Sequence, residues 1–549
     1  MLLRIWRHTL LNQINASADR LSRRRLLAIA GSATAIATLG PASLVAGHVD
    51  EATPTDALPS AGGQVLPQFP MPSTLAADAS PLFRTMTEAL VATMQQTLVP
   101  GAAFGLLMGG REEHATIGLA SLSSLNPVTP ETLFQAGSIT KTHTATAIWR
   151  LIDEGALDLN APVRTYIPDL AVMDADVAER VTISNLLDHT VGWYGDEGFD
   201  TGDADDALTR YVAERLSQLP QIYPLGEFFS YNNSAFTLLG RLIEVTTGTS
   251  YNAAIESLVL GPLGLGDSLL ERSDVQERPY ADGHAALPIN GRLSVAVQTP
   301  LWLPRSVGPA GGIWSTTRDL IRYARFHMGG GMVSGAANVV DPESLAQMWD
   351  PAIDIPGTSL QMGRNWFVQE VDGVRVAFHG GDTLGQHAEL VMIPEHDVAL
   401  VVLTNGQGGG SLVAAAALDV ALAEIPALAP HVGQIGLLPA LLAPADAPTV
   451  DLPPTQEEEY VGHYADPGQA ITLTSTDDGL EVSVETIEQP GAFLPSIFPS
   501  PSPVAPVAFL DTDMAVAGGG RLPFVRDEDG RVAWISAGLR LLPRENEGP

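Results

Sequence analysis

The chain has 549 residues, of which 45% are hydrophobic; that exceeds the needs of one domain and excludes a disordered polypeptide. Its net charge of −34 comes from scarce bases rather than abundant acids, since charged residues total only 17%, and such a surface disfavours nucleic acid and anionic membranes as partners. The absence of cysteine excludes thiol nucleophiles, disulfides, cysteine zinc sites and a lipid-bearing N-terminal cysteine.

Residues 1–47 differ from the rest. They hold six arginines against one acid, Asp19, and the run from Leu26 to Gly47 is uncharged. Ser22-Arg23-Arg24-Arg25-Leu26-Leu27 before a weakly hydrophobic Ala/Gly/Thr-rich stretch reads as a twin-arginine export signal, to be followed by a secreted or cell-envelope location. An uncleaved anchor helix is the alternative, since the uncharged run is long enough to span a bilayer. Residues 48–80, rich in Ala, Pro, Asp and Ser, read as a linker.

A helix is expected from Pro81 to Leu98, with Leu82, Met86, Leu90 and Met94 at four-residue steps. Strands are expected at 101–108 and 113–120 around Gly109-Gly110. The next helix runs from Ser138 to about Glu154, stopped by Gly155. Residues 156–345 are mixed and largely helical, with stretches at 207–218 and 234–247. Strands return at 366–370, 374–378, 387–393 and 398–403, and a helix from Leu412 to about Glu424 follows. Strands at both ends of this unit and a helical insert between them predict an α+β fold. Its antiparallel sheet is flanked by N- and C-terminal helices, with a helical subdomain beside it. Residues 426–456 read as a second linker. Beyond them, short alternating strands at 471–474, 480–484, 507–510, 531–536 and 539–542 predict a small all-β barrel or sandwich over 457–549. No catalytic-looking cluster occurs there.

Chemistry is concentrated at one point. Lys141 is the only lysine; arginine supplies every other basic position counted with it. Arginine can replace a surface charge but not an amine that must lose its proton. In Ser138-Ile139-Thr140-Lys141 the amine lies one helical turn after a serine that opens the helix, where the dipole favours an oxyanion. To act as a base near neutrality the amine must lose roughly three pKa units, about 4 kcal/mol, a shift that burial can supply. Read alone, the pattern also fits a chance pairing. Tyr231 and Asn233 form a second element, a phenol and an amide that face one way if extended; a turn beside a packed ring is the bland reading. His379-Gly380-Gly381, after a strand, is a third, where glycines admit a substrate backbone; a histidine at a strand end can equally be a cap. The 12 histidines include no His-Glu-x-x-His, and Lys141 follows threonine rather than a Walker glycine. Nothing implies a metal or cofactor.

Taken together these motifs resemble a known superfamily. Phe134-Gln135-Ala136-Gly137-Ser138-Ile139-Thr140-Lys141 is similar to the nucleophile motif of serine β-lactamases and D-Ala-D-Ala peptidases, and more narrowly to the branch of class C β-lactamases, family VIII esterases and D-aminopeptidases. The resemblance continues in order through Gly155–Leu159, Ile183–Thr190, Tyr231-x-Asn233, Ala310–Thr316, His379-Gly380-Gly381 and Val401–Asn405, covering about residues 81–425. It implies that Ser138 is the acylated nucleophile, that Lys141 and Tyr231 share the acid–base work, and that Asn233 holds the substrate. His379 and Gly381 would line the site. The backbone N–H groups of Ser138 and Asp382 would form the oxyanion hole. His189 is expected to be structural. The last region is similar to the lipocalin-like barrels appended to some secreted members, on Tyr460-Val461-Gly462-x-Tyr464.

The chain departs from that pattern at several positions. His379 stands where β-lactamases usually carry lysine, Asp382 puts an acid beside the oxyanion hole, and Val191 and Trp193 replace a usual serine and leucine. The changes at His379 and Asp382 favour an ester or amide substrate, such as a short-chain ester or a D-amino-acid peptide, over a β-lactam; those at Val191 and Trp193 imply nothing about the substrate. β-Lactamase or D,D-carboxypeptidase activity is the alternative within the class, and an inert protein that binds peptidoglycan peptides is the alternative outside it. The expected partner is a small molecule or peptide, with no nucleic acid and no stable membrane association once the signal is removed.

Overall fold

The computed structural model describes residues 69–545, apart from 197, 290–291, 330–338, 445–446, 478 and 488–503. The arginine-rich signal and most of the first linker lie outside the described residues.

Helix α1 (Pro81–Thr97) starts where Ser80 Oγ accepts from Phe83 N–H and Pro81 presets the first turn; it stops at Leu98 in the left-handed region. Its buried residues Phe83, Met86, Leu90 and Met94 form one stripe. Strands β1 (Gly101–Met108) and β2 (Arg111–Gly118) follow, then α2 (Ile139–Asp153), α3 (Asn233–Thr247) and α4 (Thr317–Met328). Six strands complete the sheet: β3 (Ile353–Asp354), β4 (Gln361–Met362), β5 (Phe367–Val371), β6 (Val374–Asp382), β7 (His387–Ile393) and β8 (Val398–Thr404). Helix α5 (Gly409–Leu422) packs beside α1.

The sheet order is β2-β1-β8-β7-β6-β5-β4-β3, antiparallel at every step. The N-terminal hairpin therefore pairs with the last strand, as the split of strands between the two sequence ends implies. Alternation sorts the side chains between two cores. Phe104, Leu106, Leu400 and Val402 face α1 and α5, whereas Ala103, Leu107, Val401 and Leu403 face α2 and α4. Helix α2 is buried all round rather than on one face; its threonines bond back to carbonyls, as Thr144 and Thr146 do to Thr140 and Thr142.

The C-terminal region is an eight-stranded antiparallel barrel: β9 (Gly462–Ala465), β10 (Gln469–Thr476), β11 (Gly479–Thr486), β12 (Ala505–Asp511), β13 (Met514–Ala517), β14 (Gly520–Arg526), β15 (Val532–Ala537) and β16 (Arg540–Pro543). A bridge between Tyr464 and Arg544 brings its two ends together. Three of its strands, β9, β13 and β14, are absent from the sequence-based expectation because they are short or broken by Gly and Pro. Leu428, Ile435 and Ala440, in the stretch before the barrel, are buried against the core beneath α5.

The barrel lies on the hydrolytic unit. The Trp534 indole N–H donates to Ile222 O at 2.9 Å, Tyr231 N–H to Leu539 O at 2.9 Å, and Leu541 N–H to Ser230 Oγ at 3.1 Å.

Candidate active site

Ser138 sits at the N-terminal end of α2, half-buried, with no side-chain cap bond of its own. The turn that presents it is tight. Gly137 has φ +52°, and a Cβ on Gly381 would lie 2.1 Å from Ala136 O and 2.8 Å from Ser138 N. Only glycine at 381 lets β6 run this close to the nucleophile turn. A Cβ on Gly137 would lie 3.1 Å from Asp382 N, so the backbone nitrogens of Ser138 and Asp382 share one small space.

Lys141 is fully buried. Its Nζ lies 3.0 Å from Ser138 Oγ and 2.7 Å from Ala310 O. The second contact explains the Ala310–Thr316 motif: Ala310 O receives the amine, Ile313 O accepts from Ala136 N–H, and Ile313 N–H donates to Thr140 Oγ1. Burial drives the Lys141 pKa well below that of a free amine; the Arg540 charge adds to this and Asp196 opposes it.

Tyr231 is buried, with its ring 4.9 Å from Lys141 Nζ. Burial pushes the phenol pKa above its ordinary value, against weaker opposing effects from the Ser138 hydroxyl and Arg540. The phenol stays protonated beside the Ser138 hydroxyl. His189 packs behind it, stacked at 4.5 Å. His189 Nδ1 accepts from Asn232 N–H and Nε2 donates to Asn365 Oδ1, which places His189 in the structural support of the site.

Asn232 caps α3 by accepting from Ala235 N–H, and Asn233 is the first helical residue. Asn233 Nδ2 donates to Asp196 Oδ1 at 2.7 Å. Trp193, one of the departures from the family pattern, supports this turn: its indole N–H donates to Ser234 Oγ and its carbonyl accepts from Asn232 Nδ2.

His379 is buried on β6. Its Nδ1 lies 2.6 Å from Gly380 O; a carbonyl can only accept, so Nδ1 carries the proton and Nε2 presents a lone pair. Burial, aided by the Lys141 charge, lowers the pKa to about 3, and the ring is neutral. The Asp382 side chain is exposed and bonds His387 Nδ1 at 2.8 Å. Burial opposes charge on His387, but Asp382 and Glu389 outweigh it and raise the pKa to about 10. The acid beside the oxyanion space is thus neutralised by an imidazolium.

The structure brings Ser138, Lys141, Tyr231, His379, Gly381 and Asp382 together and links Asn233 to them through Asp196 and Arg540. It adds Asp196 and Arg540, which sequence reasoning missed. Arg540 Nε and Nη2 bond Asp196 Oδ2 and Oδ1 at 2.7 and 2.9 Å, and the guanidinium lies 4.8 Å from the centre of the Tyr231 ring. Nothing in the local sequence around a barrel hairpin marks such a residue. Among the described residues, no group of three or more His, Asp or Glu could hold a metal ion, and no helix is long and apolar enough to cross a membrane.

The sequence profile of the Beta-lactamase family matches residues 86–424. The chain belongs to that family. It is 34% identical over 315 residues to Penicillin-binding protein 4 of Amycolatopsis lactamdurans, covering 56% of this chain and 81% of the relative. It is 33% identical over 203 residues to Esterase EstB of Burkholderia gladioli, covering 33% of this chain and half, 50%, of that protein. The crystal structure of SurE superposes with a TM-score of 0.64 at 23% identity, over 84% of this chain and 99% of SurE; this likeness concerns the fold. The family and its hydrolase members make the chain a serine hydrolase of the β-lactamase fold.

Proposed function

We propose that the protein is an exported hydrolase that cleaves an ester or amide through an acyl-Ser138 intermediate. The observation that carries this reading is the fully buried Lys141 amine 3.0 Å from Ser138 Oγ. With its pKa depressed, the neutral amine takes the Ser138 proton as Oγ attacks the substrate carbonyl. The Ser138 and Asp382 backbone N–H groups receive the developing oxyanion. Tyr231, kept protonated by burial, passes a proton to the leaving group, and Lys141 restores it. Asn233 holds the substrate, and water then releases the acyl group by the same route in reverse.

Short esters and D-amino-acid amides suit the charges of the site better than β-lactams. His379 is neutral and offers a lone pair, and Arg540 is already bound by Asp196 through both oxygens. Neither presents a free positive charge to a β-lactam carboxylate. A fluorophosphonate probe should label Ser138; no labelling would favour an inert peptide-binding protein. Turnover of p-nitrophenyl acetate or butyrate should exceed that of nitrocefin by orders of magnitude, and comparable rates would overturn the ordering. Export rests on Arg23-Arg24 and the uncharged run after them. Replacing both arginines with lysine should retain the protein in the cytoplasm, and continued secretion would overturn the assignment.

A further inference from the structure

The turn from Gly538 to Arg540, between β15 and β16, brings barrel residues against the Ser230–Asn233 segment. Two hydrogen bonds hold it there, Tyr231 N–H to Leu539 O and Leu541 N–H to Ser230 Oγ. From this turn the Arg540 guanidinium grips both oxygens of Asp196, and its third nitrogen, Nη1, donates to Gly538 O at 3.1 Å. Asp196 Oδ1 also accepts from Asn233 Nδ2. A carboxylate can only accept, so this contact fixes which way the Asn233 amide is turned: Nδ2 toward Asp196, with Oδ1 left for a donor on the substrate. The pair is largely covered, with 20% of the Arg540 side chain and 29% of Asp196 exposed, so the geometry is held more firmly than in a surface ion pair.

We propose that Arg540 is a positioning residue of the hydrolytic site, supplied by the barrel, which fixes the Asn233 amide through Asp196 and sets the charge beside Tyr231 and Lys141. This inference rests on the acyl-serine reading above. The remaining groups facing Lys141 leave that charge to the pair. His189 and His379 are neutral through burial, Tyr231 is protonated, and Asp382 is engaged by His387. Arg540 favours the neutral amine of Lys141, and Asp196 opposes it.

The alternative is that the pair only fastens the barrel to its neighbour, and the two roles differ in what they move. Arg540→Met in the full chain leaves Asp196 unpaired beside the amine. Its acylation rate should fall about 10- to 100-fold, the cost of a mispositioned contact group. The acidic limb of its kcat/KM profile should move to higher pH, because loss of the cation and exposure of Asp196 both raise the Lys141 pKa. Adding Asp196→Asn should move the limb back without restoring the rate. Arg540→Lys should keep the wild-type limb, but a single ammonium does not reproduce the two-oxygen grip, so kcat should remain lowered. This conservative variant keeps the test open if Arg540→Met does not fold. A lowered melting temperature with unchanged kcat, KM and pH limb would overturn the proposal and leave only a fastening role. A rise in KM alone would also overturn it, by making Arg540 a substrate contact. Wild-type protein that fails to react with the fluorophosphonate probe would instead remove the acyl-serine reading itself.

Discussion

The two walls of the site are built differently. One consists of the nucleophile turn, α2 and β6, where Ser138, Lys141, Gly137 and Gly381 meet in close backbone and side-chain contact. The other is assembled from Tyr231, Asn233, Asp196 and the barrel turn at Arg540, separated by up to 344 residues in sequence. The first wall depends on residue types that tolerate no substitute: an amine able to lose a proton, and glycines where a Cβ would collide. The second depends on ordinary polar residues that become specific only through their partners. Changes on the first wall should therefore stop the chemistry, and changes on the second should retune it.

The largest effect is expected at Lys141. Arginine serves at every other position where this chain places a base counted with lysine, so a charge-only role would survive Lys141→Arg. A proton-accepting role would not, since guanidinium holds its proton at working pH. Acylation of Ser138 should fall by about 10²- to 10⁴-fold or more while circular dichroism and thermal melting show a folded protein. Near-wild-type turnover in a folded variant would sink the mechanism. Next comes Gly381→Ala, whose methyl would meet Ala136 O and Ser138 N. Displacing the oxyanion donors should cost about 10²- to 10³-fold in acylation, measured by probe labelling under single-turnover conditions. A fully active, correctly folded alanine variant would mean that β6 does not sit against the nucleophile turn.

The contrast also explains what could be read from the sequence. The sheet and its flanking helices were legible because the apolar runs of β1, β7 and β8, buried on both faces, and the four-residue step of α1 report burial directly. Ser138, Lys141, Tyr231, Asn233, His379 and Gly381 were legible as motifs, and the structure brings them together. The two-residue strands β3 and β4 were not, since two residues carry no period. Asp196 and Arg540 were not, because an arginine in a barrel hairpin looks like any exposed arginine until Asp196 is found beside it. Asp382 was legible as an acid by the oxyanion space, but its neutralisation by His387 depends on cross-strand register, which the sequence alone did not reveal.

That register gives a pH test at the rim of the first wall. His387 has a pKa raised to about 10, with burial opposed and outweighed by Asp382 and Glu389. A raised folded pKa stabilises the protein fully below the unfolded value of about 6.5 and ceases to do so as pH rises through about 10. Because Asp382 is mostly exposed, solvent reduces the contribution to about 1–2 kcal/mol. Urea unfolding should show wild type more stable than His387→Gln near neutrality, with the gap closing above about pH 10. A gap that is constant across this range would assign the effect to packing rather than charge.

The smallest effect is expected on the second wall, at Trp193. Its indole N–H donates to Ser234 Oγ at 2.9 Å, while its backbone carbonyl holds Asn232 Nδ2 at 2.7 Å. Trp193→Phe removes only the first bond. Ser234 Oγ keeps a partner in Asn232 Oδ1 at 2.8 Å, so no polar atom is left stranded and the loss should be about 1 kcal/mol, plus a packing term for the smaller ring. The Asn232 cap and the Asp196–Asn233 contact do not run through the indole and should survive. Trp193→Phe should therefore lower stability in urea with little change in kcat or in the acidic limb of the pH profile. Arg540→Met should do the reverse, shifting kinetics more than stability. If Trp193→Phe instead slowed acylation tenfold at unchanged stability, the orientation of Asn233 would depend on the indole rather than on Asp196, and the division of labour between the two sides of that turn would have to be redrawn.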